Sequence, residues 1–174
     1  MNEEPHVRGR NVTLLGMPGS GKSTIGRLLA ARLGWNFLDM DERIEALAGR
    51  KLWQIVEDEG FEGLARREEE VNATLRVDRC VIAPGGSVIY FEPAMHNLRS
   101  LGPMLYLNVP ADLLEQRAGD LRVRATFIRP GMSFAALAAE RDPLYRQWAD
   151  AVVDCGDEPA DRLLERVEAA LQRF

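Results

Sequence analysis

The chain is predicted to fold as an α/β protein, three layers α/β/α deep, around a five-stranded parallel sheet. Three observations carry that prediction. Short apolar runs at 12–15, 36–38, 80–83, 104–108 and 151–153 alternate with helical segments, the order that builds a parallel sheet covered on both sides. The first run lacks polar–apolar alternation, as expected of a strand buried on both faces. It ends in a glycine-rich stretch that opens straight into a helical pattern.

Taken in order, residues 12–15 form the first strand and Gly16 ends it. Ile25, Leu28, Leu29 and Leu33 recur at helical spacing, and Gly34 is placed to stop that helix. Residues 36–38 read as a second strand, closed by Asp39 and Asp41. Residues from about 41 to 75 are helical, with interruptions expected at Gly49, Gly60 and Gly63. The third strand, 80–83, is broken by Pro84-Gly85-Gly86, and the fourth, 104–108, ends before Pro110. A helix begins at 111–117. The basic stretch 118–133, with Arg122, Arg124, Arg129, two glycines and Pro130, predicts a mobile loop. An alanine-rich helix follows over 134–149, with a kink expected at Pro143. After the fifth strand, 151–153, a terminal helix over 159–174 puts Leu163, Leu164, Val167 and Leu171 on one face. There is no internal repeat and no long linker, so a single domain over 1–174 is expected, of a size that buries a substantial core.

The 174 residues carry a net charge of -5, which argues against a general nucleic-acid or anionic-membrane surface. No apolar run approaches the ~20 residues needed to span a bilayer, and the first five residues are polar and acidic, unlike a secretory signal. Cys80 and Cys155 sit in apolar runs without metal-ligand spacing and read as buried reduced thiols. A cytoplasmic protein is expected.

The glycine-rich stretch has the spacing G-x-x-x-x-G-K-[ST], met by Gly16, Gly21, Lys22 and Ser23. Glycines let successive backbone N–H groups converge on phosphate oxygens. The helix that starts at the loop adds its positive dipole end. Lys22 is positioned to reach the β- and γ-phosphates of a bound nucleoside triphosphate, and the Ser23 hydroxyl to ligate Mg²⁺. No G-x-G-x-x-G follows a strand, so a dinucleotide fold has little support.

The run 19–30 (GSGKSTIGRLLA) resembles the start of shikimate kinases. So do Leu38-Asp39-Met40-Asp41, then Ile44-Glu45 and Gly49, Arg67-Glu68-Glu69, Gly85-Gly86-Ser87-Val88, Tyr106-Leu107 and Glu140-Arg141-Asp142-Pro143-Leu144-Tyr145. The likeness runs through essentially the whole chain in order. It implies a P-loop kinase fold like that of nucleoside monophosphate kinases, with an acceptor-binding helical segment over about 41–75 and a mobile lid over about 118–133. It also implies ATP and Mg²⁺ as partners in phosphorylating an alcohol of a small carboxylated metabolite, with shikimate and shikimate 3-phosphate as the leading pair.

By position, the resemblance assigns the nucleotide to Gly16, Pro18, Gly19, Ser20, Gly21, Lys22, Ser23 and Thr24, with Arg117 on the adenine ring and Pro159 bordering it. Ser23 and Asp39 would hold Mg²⁺. Lys22, Asp41 and the lid's Arg124 would be catalytic, with Asp41 hydrogen-bonding the acceptor hydroxyl. Gly85, Gly86 and Arg141 would contact the acceptor, together with Leu64 and Ala65. The plainer role for Asp39 and Asp41 is capping the helix that carries Ile44.

The same resemblance exposes departures. Most shikimate kinases carry Phe-Arg where this chain has Leu64-Ala65, and that arginine is half of a two-arginine clamp on the acceptor carboxylate. Arg66 is one position on, about 100° around a helix, and so does not simply replace it. Val56 stands where Phe is common, Pro84 replaces the first of three glycines, and Arg124-Ala125-Thr126-Phe127 replaces Arg-Pro-Leu-Leu. The donor half is intact and the acceptor half altered. Two other readings therefore stand beside shikimate kinase. One is a related kinase for another hydroxy compound, such as homoserine or a sugar acid. The other is a nucleotide-binding regulator with little turnover.

Other residues attract plainer readings. Arg122, Arg124 and Arg129 read as a phosphate-closing lid rather than a nucleic-acid patch, because aromatic interleaving is missing. Glu69 and Glu70 with Arg66 and Arg67 read as a solvated helix face, while Glu68 is expected to orient Arg141 or another pocket arginine. His6 and His96 read as surface residues, Trp35, Trp53 and Trp148 as packing, and Met17 as a space-filler. A monomer without nucleic-acid or membrane partners is expected.

Overall fold

The computed structural model describes residues 10–119 and 125–174. Among these residues five strands are present: β1 (Asn11–Leu15), β2 (Asn36–Asp39), β3 (Cys80–Ala83), β4 (Met104–Asn108) and β5 (Ala151–Asp154). Seven helices accompany them: α1 (Lys22–Leu33), α2 (Met40–Ala48), α3 (Leu52–Ala73), α4 (Glu92–Leu101), α5 (Ala111–Ala118), α6 (Phe134–Trp148) and α7 (Ala160–Leu171). The strands form one sheet in the order β2-β3-β1-β4-β5, and every pairing is parallel. The protein is a three-layer α/β/α structure, as the alternation of runs predicts.

The sheet's burial follows its order. β1 and β3, both internal, are buried at every position. The edge strands β2 and β5 are only partly covered, and their sequences are correspondingly less apolar. The main core gathers β1, β3 and β4 with Ile25 and Leu29 of α1, Met95 and Leu98 of α4, and Leu164, Val167 and Leu171 of α7. A smaller cluster joins Ile44 of α2, Leu52, Ile55 and Leu64 of α3, and Ala125. Val56, at a position singled out for lacking Phe, packs against this second cluster.

Parallel register brings the carboxyl ends of β1, β2 and β3 together. Asp39 pairs with Ala83, so Asp39 and the Pro84-Gly85-Gly86 turn leave the sheet side by side. Gly16 leaves β1, which pairs with β3. A crevice outside the carboxyl ends of the strands is where open α/β sheets bind ligands.

Several expectations are corrected. Helix α4 and the short 3₁₀ turn Val88–Tyr90 before it do not figure in the sequence reading. Gly63 does not interrupt a helix: it lies buried within α3. Gly60, with φ 71° and ψ 176°, is the true break in that segment, and Gly49 ends α2 as expected. The cap of α2 is Asp39 alone. Its carboxylate accepts from the backbone N–H of Asp41 at 3.0 Å and of Glu42 at 3.4 Å, while Asp41 lies inside the first turn. Trp148 is buried and Trp35 packs on the core, but Trp53 is 41% exposed. Cys80 and Cys155 are buried and free, and burial raises both thiols, Cys155 to about 12. Among the described residues no helix is long and apolar enough to cross a membrane.

Candidate active site

A continuous cleft of about 990 Å³ opens at the carboxyl end of the sheet. It joins most of the residues that the sequence singles out. Pro18, Gly19, Ser20, Gly21, Lys22, Ser23 and Thr24 line one part, with Asp39 and Arg117. Asp41, Leu64, Ala65, Gly85, Gly86 and Arg141 line the rest. Gly16 is buried behind the loop, and Pro159 is flanked by Glu158 and Ala160, which do line the cleft. Arg66 is exposed and is not in the lining. Arg124, Arg122 and His6, like the first part of the expected lid, lie outside the described residues.

The loop is shaped by its own backbone. Gly21 caps α1 at φ 91°, a left-handed conformation that disfavours any side chain bearing a Cβ. A Cβ on Gly16 would stand 2.6 Å from Ser20 Oγ, so the strand must leave the sheet through glycine. Lys22 Nζ donates to Gly16 O at 2.7 Å and to Met17 O at 3.0 Å, arching the ammonium over the loop. Met17 is 2% exposed and packs into the core, the space-filling role expected. Ser20 Oγ is buried and has no hydrogen-bond partner among the described residues. An orphan hydroxyl in a loop that presents a helix N-terminus fits an anionic ligand that would complete it.

Ser23 and Asp39 meet directly, Ser23 Oγ donating to Asp39 Oδ2 at 2.8 Å. One hydroxyl and one carboxylate oxygen beside a phosphate loop suit Mg²⁺, a hard cation that takes few protein ligands and completes its shell with phosphate oxygens and water. Among the described residues no cluster of three or more His, Cys, Asp or Glu forms a self-sufficient metal cage. Arg117, in α5, donates to Gly156 O at 3.1 Å and to Asp157 Oδ1 at 3.2 Å, which ties it to the segment leading into α7.

In the other half of the cleft the backbone of Gly85 and Gly86 is enclosed by functional groups. A Cβ on Gly85 would lie 2.5 Å from Glu68 Oε1 and 3.1 Å from Asp41 Oδ1. On Gly86 it would lie 3.1 Å from Arg141 Nη1 and 3.2 Å from the Tyr145 hydroxyl. Tyr145 donates to Gly86 O at 2.5 Å and fixes the turn from α6. Glycine is therefore required here by close approach. Arg141 is 4% exposed.

Glu68 is 5% exposed. Ser87 Oγ donates to its Oε2 at 2.5 Å, and its Oε1 has no hydrogen-bond partner among the described residues. Burial pushes its carboxyl up from 4.5 to about 7, and the charge of Asp41 adds to the rise. The Ser87 hydrogen bond and the charges of Arg141 and Lys22 oppose it. The pH consequence has a definite sign. Below about pH 4.5 folded and unfolded chains both hold this proton. Between about 4.5 and 7 the folded chain keeps it while the unfolded chain releases it. Stability therefore falls as pH rises through that window, and the contribution is gone above about 7. Glu68→Gln cannot ionise and still accepts from Ser87. At pH 8 it should be more stable than the wild type, by up to about 3 kcal/mol, with a much smaller difference near pH 4.5. Thermal melts at the two pH values check this.

Tyr90 and Phe61 also line the cleft and do not figure in the sequence reading; Ser87 and Phe127, which line it too, stood there in quoted runs without a role of their own. Tyr145 lay in a quoted motif without one. Phe61 and Phe127 pack ring to ring at 4.8 Å between centroids. This joins α3 to the second half of the expected lid.

A parallel α/β sandwich, a phosphate loop opening α1, and acidic and basic side chains facing it across one cleft define an ATP-dependent small-molecule kinase. Residues 18–172 match the family model described as shikimate kinase. The chain belongs to the shikimate kinase family. The shikimate kinase of Aromatoleum aromaticum is 39% identical over 166 residues, spanning 94% of this chain and 95% of that one. The shikimate kinase of Methylococcus capsulatus is 36% identical over 167 residues, 94% of this chain and 93% of its own. Among solved structures, shikimate kinase from Acinetobacter baumannii in complex with shikimate superposes with a TM-score of 0.82 at 30% identity, covering 95% of this chain and 94% of that one.

Proposed function

We propose that this protein transfers the terminal phosphoryl group of ATP to a hydroxyl of shikimate, giving shikimate 3-phosphate and ADP. The observation that carries the reading is one cleft lined both by Lys22 of the phosphate loop and by Arg141 of α6, whose Nη1 lies beside the Gly85-Gly86 turn. The bound complex of the Acinetobacter baumannii relative supports shikimate as the acceptor.

The roles follow from charge and geometry. The loop backbone and Ser20 cradle the phosphates. Lys22 leaves the carbonyls of Gly16 and Met17 to neutralise charge on the transferring group. Ser23 and Asp39 would hold Mg²⁺, which when bound would supply charge neutralisation to the phosphates. Asp39, while capping α2, fixes the position of Asp41 two residues on. Asp41 accepts the hydrogen of the acceptor hydroxyl and aligns its oxygen. Arg141 binds the acceptor carboxylate, and the Gly85-Gly86 backbone lies against the acceptor ring. Phosphoryl transfer depends on alignment and charge neutralisation far more than on strong base catalysis, which suits a site with one aspartate at the acceptor. Arg117 and the Pro159 corner border the adenine, and Arg124 completes the phosphate contacts from the lid.

The apolar Leu64-Ala65 wall is the observation that favours a second reading, an acceptor other than shikimate. A panel of shikimate, homoserine and gluconate, assayed for ADP release with mass detection of product, separates the two. Shikimate should give a phosphorylated product in step with ADP. Turnover confined to homoserine or gluconate would establish the second reading, and ATP binding without turnover of any acceptor would favour a regulator.

A further inference from the structure

Arg141 is held from one side by a chain of polar contacts that starts near the lid. Its Nε donates to the Tyr90 hydroxyl at 3.3 Å, and its guanidinium carbon lies 5.4 Å from the centroid of the Tyr90 ring. The Tyr90 hydroxyl donates in turn to Glu140 Oε1 at 3.0 Å. The second oxygen of Glu140 accepts from Arg129 Nη2. Tyr90 lines the cleft and is 43% exposed, whereas the guanidinium it holds is buried.

This arrangement engages Arg141 through its inner nitrogen and its face. Its Nη1 lies next to Gly86 beside the Tyr145 hydroxyl, with which the guanidinium also hydrogen-bonds, and Arg141 lines the cleft. A guanidinium forks a carboxylate through parallel donors, and the fork gains when the plane is fixed beforehand. A cation above an aromatic face is also stabilised once water is excluded. Among the described residues lining the cleft, the cations are Lys22, Arg117 and Arg141. Lys22 and Arg117 belong to the phosphate loop and to α5, so among the described residues Arg141 is the cation at the acceptor end.

We propose that Tyr90 is the positioning residue of the acceptor-carboxylate site: anchored by Glu140 and Arg129, it orients Arg141 so that one arginine does the work shared by two where position 65 is arginine. The inference deepens the assignment of shikimate as acceptor and rests on it. Tyr90 acts through Arg141. Its single hydroxyl hydrogen is committed to Glu140 and its oxygen to Arg141, so its effect is on carboxylate recognition and not on the transfer step.

The test is Tyr90→Phe, which keeps the ring and removes the oxygen that holds Nε. KM for shikimate should rise about tenfold, with kcat within about twofold of wild type and KM for ATP unchanged. The carboxamide analogue of shikimate separates positioning from general disruption: its KM should be the same for wild type and variant. Adding Ala65→Arg to Tyr90→Phe should restore most of the lost affinity for shikimate. Glu140→Gln, which weakens the anchor further out, should raise the same KM by a smaller factor. An unchanged shikimate KM in Tyr90→Phe overturns the proposal, as does an equal loss for shikimate and its carboxamide. Failure of the wild type to phosphorylate shikimate at all is a different result. It overturns the functional assignment, and this inference with it, before any variant is compared.

Discussion

Lys22→Met is expected to lower kcat by about 10²–10³-fold while leaving the fold intact. In the structure the ammonium rests on two loop carbonyls, Gly16 O and Met17 O. Those bonds hold a cation ready at the mouth of the loop, and the charge is needed only when the phosphoryl group moves. Methionine retains most of the aliphatic stem and removes the charge. The loss should therefore appear in kcat, with a smaller change in KM for ATP, because the backbone cradle and Ser20 remain. Steady-state kinetics at saturating shikimate, with a melting curve of each protein, checks both parts. Activity within about tenfold of wild type would show that the phosphoryl charge is neutralised elsewhere.

Asp41→Asn is expected to lower kcat by about 10²-fold, the lower end of what a positioned base contributes, since the transfer step draws little on base strength. Asp41 lines the cleft within α2's first turn, and its Oδ1 faces Gly85. The asparagine is nearly isosteric and keeps Asp39 as the cap, so α2 should remain formed. KM for ATP should stay near its wild-type value, and single-turnover rates would separate a slowed chemical step from slowed release. The two variants should differ in kind. Lys22→Met slows any transfer from ATP, including slow transfer to water, whereas Asp41→Asn should slow transfer to the acceptor selectively.

The features of the fold and of the cleft that are legible in the sequence are those set by neighbours along the chain. The five apolar runs became the five strands within a residue or so at each end, because a buried parallel strand needs a continuous apolar run and little else. The loop was legible because its glycines, lysine and serine act at fixed offsets from a strand and a helix. The residues of α4 were less legible. Met95 and Leu98 face the core, but Pro93 stands in the first turn and the other face is polar. Asp39 and Asp41 were recognised as a pair, and only geometry separates the cap from its neighbour. Contacts between distant segments left no local trace. Glu68 finds Ser87 across 19 positions and Arg141 finds Tyr90 across 51. These contacts give the acceptor half of the cleft its character. The absence of arginine at Ala65 was visible in the sequence, while the bracing of Arg141 was not.

One experiment bears on whether the phosphate loop and the Arg141 end of the cleft work on the same pair of molecules. Purified protein is mixed with ATP, Mg²⁺ and shikimate, and the products are quantified by mass and by phosphorus NMR. The expected result is ADP and shikimate 3-phosphate in equal amounts, with ADP release falling to a trace when shikimate is omitted. Release of ADP at the same rate with and without shikimate, and no phosphorylated shikimate, would contradict the assignment of this cleft to phosphoryl transfer between the two.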